Sequence, residues 1–220
     1  MSGPSPELRA RVFGELSRAA APTRQEHRAR SLRIASLGIV CTVAVFFVLG
    51  GFFRGARPMQ LVVFTSGLGL LAAMILTRLS LTPAPHSMLG RPRAILLFAC
   101  IATAPLLALV PVLADAIWPD ADQAPLRADA LCSLVSLVEG VVPLAFFFAL
   151  RSGTDPVQPT LTGATVGLTA GAWTGTMAYM RCWHEDVRHC IVAHAVVPTL
   201  VLLAVGALVG RRFLRLRRIV

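Results

Sequence analysis

The sequence predicts an all-α, polytopic membrane protein: a bundle of six transmembrane helices preceded by a short cytoplasmic amphipathic helix. Of its 220 residues, 55% are apolar and only 15% are charged. The mean hydropathy is +0.70, which is too apolar for a soluble domain. Six apolar stretches reach about 20 residues, the length needed to cross a hydrocarbon core of about 30 Å. Arginines concentrate in alternate connections between these stretches, as expected for a protein that crosses a membrane repeatedly.

The first 33 residues (1–33) are the only sizeable segment outside the predicted spans. The Ser-Pro-Glu start at 5–7 combines a capping residue, a proline and an acid, and predicts a helix that ends near residue 20. Leu8, Val12 and Leu16 recur every four residues and form an apolar face. About 15 residues is marginal for an isolated helix in water, so this face is expected to need a partner, either lipid headgroups or another protein. An arginine-rich linker then leads to the membrane.

The six spans form a membrane bundle over residues 34–210, and a basic tail follows at 211–220. The first span has no small-residue cleavage site behind it, so we expect it to stay in the protein. The predicted spans are Ile34–Phe53, Gln60–Thr77, Ala94–Ala114, Ala130–Leu150, Leu161–Met180 and Ile191–Val209.

The distribution of arginine predicts the orientation, because short basic connections stay in the cytoplasm. Seven arginines precede the first span, three lie in the second connection, one in the fourth and five in the tail, which leaves five on the opposite side. Both ends are therefore expected in the cytoplasm. Because the basic residues flank spans and do not form one patch, the net charge of +10 does not indicate direct nucleic-acid binding.

Glycines recur at four-residue spacing in the fifth span, at Gly163, Gly167, Gly171 and Gly175. Residues at this spacing share one helix face, and small residues there let a neighbouring backbone approach closely. We interpret the stripe as a helix-packing surface.

Cysteines and histidines gather where the fifth span ends and the sixth begins, on the predicted outer side. A zinc or copper site is one interpretation, with His184, His189, Cys190 and His194 as ligands. Cys190 and His194 are four residues apart and would share a helix face, but the spacing matches no standard zinc module. A close pair of Cys132 and Cys182, as a disulfide or redox-sensitive thiols, is slightly favoured. A capped loop with a buried histidine is the third possibility.

An acid near the middle of the fourth span, Glu139, is expected to face the interior of the bundle, since a charge exposed to lipid is expensive. Ser136 lies on the same predicted face. The sequence identifies no partner for this acid. We favour a hydrogen-bonded contact between helices over a proton or ion relay, and the relay is what a small proton- or ion-coupled transporter would require.

The sequence shows no nucleotide-binding, nucleophile-elbow or zincin motif, so we do not expect an enzyme. The C-terminal third resembles the NrsF-type family of six-span bacterial inner-membrane anti-sigma factors, over about residues 130–215. The matching residues are Val142-Pro143-Leu144-Ala145, Leu150-Arg151-Ser152-Gly153, Gly163-Ala164, Gly171-Ala172, Ala178–Cys182, His189, His194, Pro198 and Gly206–Arg212. The arginine-rich N-terminal segment is similar to that of the myxobacterial CarR type, which controls carotenoid synthesis in response to light.

The resemblance implies sequestration of a sigma factor of the extracytoplasmic-function (ECF) class at the inner membrane, followed by release on a stress, light or oxidant signal. The N-terminal segment would be the contact, with an apolar face inserted into the sigma factor and arginines steering toward acidic surface. The candidate contact residues are Leu8, Arg9, Arg11, Val12, Phe13, Leu16 and Arg18. On the same interpretation, the cluster of Cys132, Cys182, His189 and His194 is where oxidation or metal would be sensed.

Overall fold

The structure is a computed structural model that describes residues 24–52, 58–81, 92–119, 125–151, 157–184 and 186–214, together with four single positions before residue 24. Apart from those single positions, the amphipathic helix predicted to end near residue 20 lies outside the described residues. The same is true of its seven candidate contact residues: Leu8, Arg9, Arg11, Val12, Phe13, Leu16 and Arg18.

Six long helices and no β-strand make up the described part of the chain. They are α1 (Arg24–Val48), α2 (Met59–Leu81), α3 (Arg93–Ile117), α4 (Leu126–Arg151), α5 (Pro159–Arg181) and α6 (Val187–Phe213). Five of them contain a predicted span in full, and α1 overlaps the first predicted span up to Val48. The all-α, polytopic prediction is therefore confirmed.

Five helices are long and apolar enough to cross a membrane, namely α1 from Arg28 and all of α2, α3, α4 and α6. Large apolar side chains cover their outer surfaces; Phe98 and Ile101, for example, are about 70% exposed. Exposed apolar surface on this scale is typical of a protein whose surroundings are lipid.

The remaining long helix, α5, has 23 residues and is rich in glycine, alanine and threonine. At 1.5 Å per residue it extends about 35 Å, which is long enough to span the hydrocarbon core. Nearly every side chain between Thr162 and Tyr179 is buried. Because other helices surround it, α5 does not need strongly apolar side chains, and its role as the sixth span stays a prediction.

Threonine hydroxyls on α5 are satisfied inside the protein. Thr165 and Thr169 donate hydrogen bonds of 2.8 Å to carbonyls of the preceding turn. Thr169 also lies 3.0 Å from the hydroxyl of Ser80 on α2, and the Trp173 indole N–H donates to Thr77 at 2.9 Å. A polar helix can occupy the centre of a membrane bundle because these groups find partners there.

The glycine stripe of α5 forms the seam with α6. A Cβ placed on Gly163 would come within 2.6 Å of the Gly210 Cα, and one on Gly171 within 2.8 Å of the Thr199 Cα. Ordinary contacts begin near 3.4 Å, so these two backbones approach more closely than a Cβ would allow. Gly167 and Gly175 occupy the same seam, opposite Leu202 and His194.

The first helix differs from the predicted span at both ends. It begins at Arg24, so most of the expected basic linker continues the helix, and Glu26 lies in its positively polarised first turn. It ends at Val48, before the predicted end at Phe53. Gly50 has φ of 120°, and the N–H groups of Gly50 and Gly51 bond back to the carbonyls of Phe47 and Phe46. This is the nested pattern of a Schellman cap, which stops a helix.

Candidate functional site

A compact cluster of four metal-binding side chains lies where α5 ends and where α4 and α6 begin. Cys132 comes from the second turn of α4, Cys182 follows α5, and His189 and His194 lie near the start of α6. Their ligand atoms all lie within 4.8 Å of one another. Residues from three helices therefore converge on one small volume.

The loop between α5 and α6 is short and tightly capped. The Cys182 N–H bonds to the Ala178 carbonyl at 2.8 Å and closes α5. Four positions later, the carboxylate of Asp186 accepts from the N–H groups of Arg188 (3.3 Å) and His189 (3.2 Å), which begins α6. An acidic cap at a helix start is favourable, so the loop holds Cys182 and His189 in fixed positions.

Residues Cys190–Val196 form a π-helical segment within α6, in which the Val197 N–H bonds to the carbonyl five residues earlier. In an α-helix, two residues five apart point about 140° away from each other. In a π-turn they lie almost on the same face, because each turn closes over five residues. His189 and His194 therefore face the same way, with ring centroids 5.0 Å apart. Segments of this kind are frequent at functional sites.

An acid on α4 orients His189. The Nδ1–H of His189 donates to Asp129 Oδ1 at 2.6 Å, and its Nε2 faces Cys182, whose sulfur is 3.3 Å away. Arg188 lies 3.4 Å from the other oxygen of Asp129. The sequence analysis did not identify Asp129 as a site residue, although it lies one turn before Cys132 on the same helix face.

The cluster is secluded from solvent. His189 and His194 are 0% and 2% exposed, Cys182 is 7% exposed and Cys132 is half-buried. The hydrogen bond that the Cys182 thiol donates to the neighbouring Cys132 sulfur, together with burial, raises the pKa of Cys182. Two thiolates side by side are therefore costly here unless a cation shares the site.

This set has the same four residues as the sensing cluster that the family resemblance implied, but it differs from the predicted zinc or copper ligands. His189 and His194 belong to it, whereas His184 and Cys190 do not. The prediction assumed α-helical spacing, which would align Cys190 with His194, but the π-turns align His189 with His194. The Cys190 sulfur instead lies 3.7 Å from the carbonyl oxygen of His184. Cys132 and Cys182 are adjacent, and both are free thiols in this structure.

The buried acid of α4 is held in an ion pair that the sequence did not indicate. Glu139 is 0% exposed, and its Oε2 accepts a 3.0 Å hydrogen bond from Arg181 Nη1 at the end of α5. Side chains lean toward the start of their own helix. Because α4 and α5 run antiparallel, Glu139 leans toward the cluster while Arg181 leans into the bundle, and the two meet. Ser136, one turn away, is fully buried.

Comparison with known proteins identifies a family. No curated protein and no solved structure matches the chain. The sequence profile described as NrsF, negative regulator of sigma F, matches residues 16–216, which includes all six long helices and the four-residue cluster. The match extends well beyond the C-terminal third that carried the resemblance, while the similarity to the CarR type stays a prediction. The chain therefore belongs to the NrsF family of negative regulators of sigma factors.

Proposed function

We propose that this protein is an integral anti-sigma factor of the bacterial inner membrane, with both ends in the cytoplasm. It holds an ECF-type sigma factor at the membrane, away from RNA polymerase, until a signal releases it. The observation that carries the proposal is the family match over residues 16–216 of a chain with five helices apolar enough to cross a membrane. The role is regulatory and needs no catalytic step.

The segment 1–33 is the proposed sigma contact. It supplies an apolar helix face, and seven arginines can steer it toward an acidic surface. The test is an affinity purification of the tagged protein from detergent-solubilised native membranes of uninduced cells, with and without this segment. A sigma factor that co-purifies only with the full chain supports the proposal. If the full chain recovers no sigma factor, sequestration is refuted.

A pair of charge-insertion variants tests the apolar face itself. Leu8→Glu/Leu16→Glu places two carboxylates on that face, and repression of the sigma regulon should be lost. Ala10→Glu/Ser17→Glu adds the same charge on the opposite side of the predicted helix and should leave repression intact. Both variants are compared at equal membrane levels by immunoblotting. Continued repression by the first variant would exclude this face as the contact.

The proposed release signal acts at the cluster of Cys132, Cys182, His189 and His194. Two adjacent free thiols beside two imidazoles are a target for oxidants, including those that light generates in a CarR-type system. The cluster lies at the ends of three helices, so a change in its bonding would alter how those helices pack.

The alternative function, a small proton- or ion-coupled transporter, would use Glu139 as a proton relay. The ion pair between Glu139 and Arg181 favours a structural role for this acid instead.

A further inference from the structure

Two thiols and two imidazoles are the ligand set of a common structural zinc site, and here they come from three separate helix ends. Cys132 lies on α4, Cys182 follows α5, and His189 and His194 lie on α6, with all four ligand atoms within 4.8 Å of one another. Sites of this composition hold zinc in four-coordinate, tetrahedral geometry.

The spacing is close to that of an occupied site. Zinc–sulfur bonds of about 2.3 Å and zinc–nitrogen bonds of about 2.0 Å place neighbouring tetrahedral ligand atoms about 3.3–3.8 Å apart. The Cys182 sulfur and His189 Nε2 are already 3.3 Å apart. Since no pair is more than 4.8 Å apart, each pair needs to close by at most about 1–1.5 Å, a distance within reach of side-chain torsion changes.

The surroundings of His189 match those of a metal-bound imidazole. Metal-ligating histidines usually donate their second N–H to a carboxylate, which fixes the tautomer and makes the ligating nitrogen more basic. His189 does this with Asp129 at 2.6 Å, and its other ring nitrogen faces the cluster, 3.3 Å from the Cys182 sulfur. Both histidine side chains are almost completely buried, as expected of ligands in a closed structural site.

We propose that Cys132, Cys182, His189 and His194 bind one zinc ion, and that Asp129 is the positioning residue for His189. Binding releases two protons from the site to solvent, so the ion is held by two thiolates and two neutral imidazoles. Zinc is favoured over copper because four ligands of mixed sulfur and imidazole chemistry complete its tetrahedral shell. The ion would fasten the start of α4, the end of α5 and the start of α6 together.

The experiment measures metal directly and requires no sigma factor, so its outcome is independent of the proposed function. The full-length protein is purified in detergent with reductant and without chelator, and its metal content is determined by mass spectrometry. About one zinc per chain is expected. After chelation, titration with Co²⁺ should give the thiolate charge-transfer and intense visible bands of a tetrahedral sulfur–nitrogen site.

Matched variants assign the ligands. Cys182→Ser and His194→Gln should each abolish the cobalt bands, whereas Cys100→Ser removes a thiol of α3 outside the cluster and should leave them unchanged. Asp129→Asn should retain the bands but weaken zinc affinity by about 10- to 100-fold in competition with a chromophoric chelator. Size-exclusion chromatography restricts the comparison to variants that fold.

Three results would overturn the proposal. The first is reduced wild-type protein that contains no zinc and gives no tetrahedral cobalt spectrum, a result that does not depend on any variant. The second is copper in place of zinc. The third is a Cys132–Cys182 disulfide in protein whose thiols were blocked before the cells were broken, because a disulfide leaves no thiolate ligand.

Discussion

Replacing Gly167 with alanine tests whether the α5–α6 seam holds the bundle together. The new Cβ would lie 2.7 Å from the carbonyl carbon of Leu202 and 3.0 Å from the Leu203 Cα, and nearer still to the Leu202 carbonyl oxygen. All three are backbone atoms and cannot rotate away. Ordinary contact begins near 3.4 Å. The Leu202 carbonyl carbon alone therefore requires the two helices to separate locally by about 0.7 Å, and the carbonyl oxygen requires more.

The magnitude follows from two opposing effects. A gap of 0.5–1 Å loses about a quarter to a half of the dispersion energy of each contact, and overpacking of this kind typically costs about 1–3 kcal/mol. Alanine recovers up to about 1 kcal/mol because it is a better helix former than glycine. The free energy of unfolding therefore falls by about 1–2 kcal/mol in total. For a protein of this size it corresponds to a fall in Tm of about 2–8 °C.

Thermal unfolding in one fixed detergent, followed by circular dichroism or by loss of the monodisperse size-exclusion peak, measures this shift. Gly67→Ala on α2 is the matched control, since a Cβ at Gly67 meets nothing within 4 Å. It should leave Tm unchanged or raise it. If Gly167→Ala were as stable as the wild type or the control, close approach along the seam would not be what stabilises the bundle.

Three further predictions concern the ion pair, the thiols and the topology. Glu139→Gln should lower the free energy of unfolding by about 3 kcal/mol, because it leaves the charge of Arg181 unpaired in a site where that side chain is only 14% exposed. This variant should still repress the sigma regulon. Loss of repression in a well-folded variant would favour the transporter alternative. Cys182→Ser should change induction of the sigma regulon in a reporter assay, and unchanged induction with Cys132→Ser also present would remove both thiols from signalling. Alkaline phosphatase fused after Val220 should be inactive, and active when inserted after Pro119 between α3 and α4; the reverse pattern would invert the proposed orientation.

The sequence predicted the number and position of the long helices because lipid imposes a simple requirement. Each crossing needs about 20 residues that leave no backbone group unpaired, so hydropathy alone locates the spans. Hydropathy predicted the helix ends less well, because local capping interactions determine where a helix begins and stops. The Gly50–Gly51 cap stopped α1 before Phe53, and the polar stretch from Arg24 continued the helix although no apolar pattern marks it.

The sequence could not predict which polar side chains of different helices contact each other. Helical periodicity placed Ser136 and Glu139 on an inward face, but Arg181 lies on another helix, and only antiparallel packing brings it to Glu139. The metal-ligand prediction assumed α-helical spacing, which places Cys190 on the same helix face as His194. The π-helical segment in α6 places His189 on that face instead. Hydrophobic length is a property of one segment and can be read along the chain. A cluster formed by three helix ends depends on the register of each helix, which only tertiary packing determines.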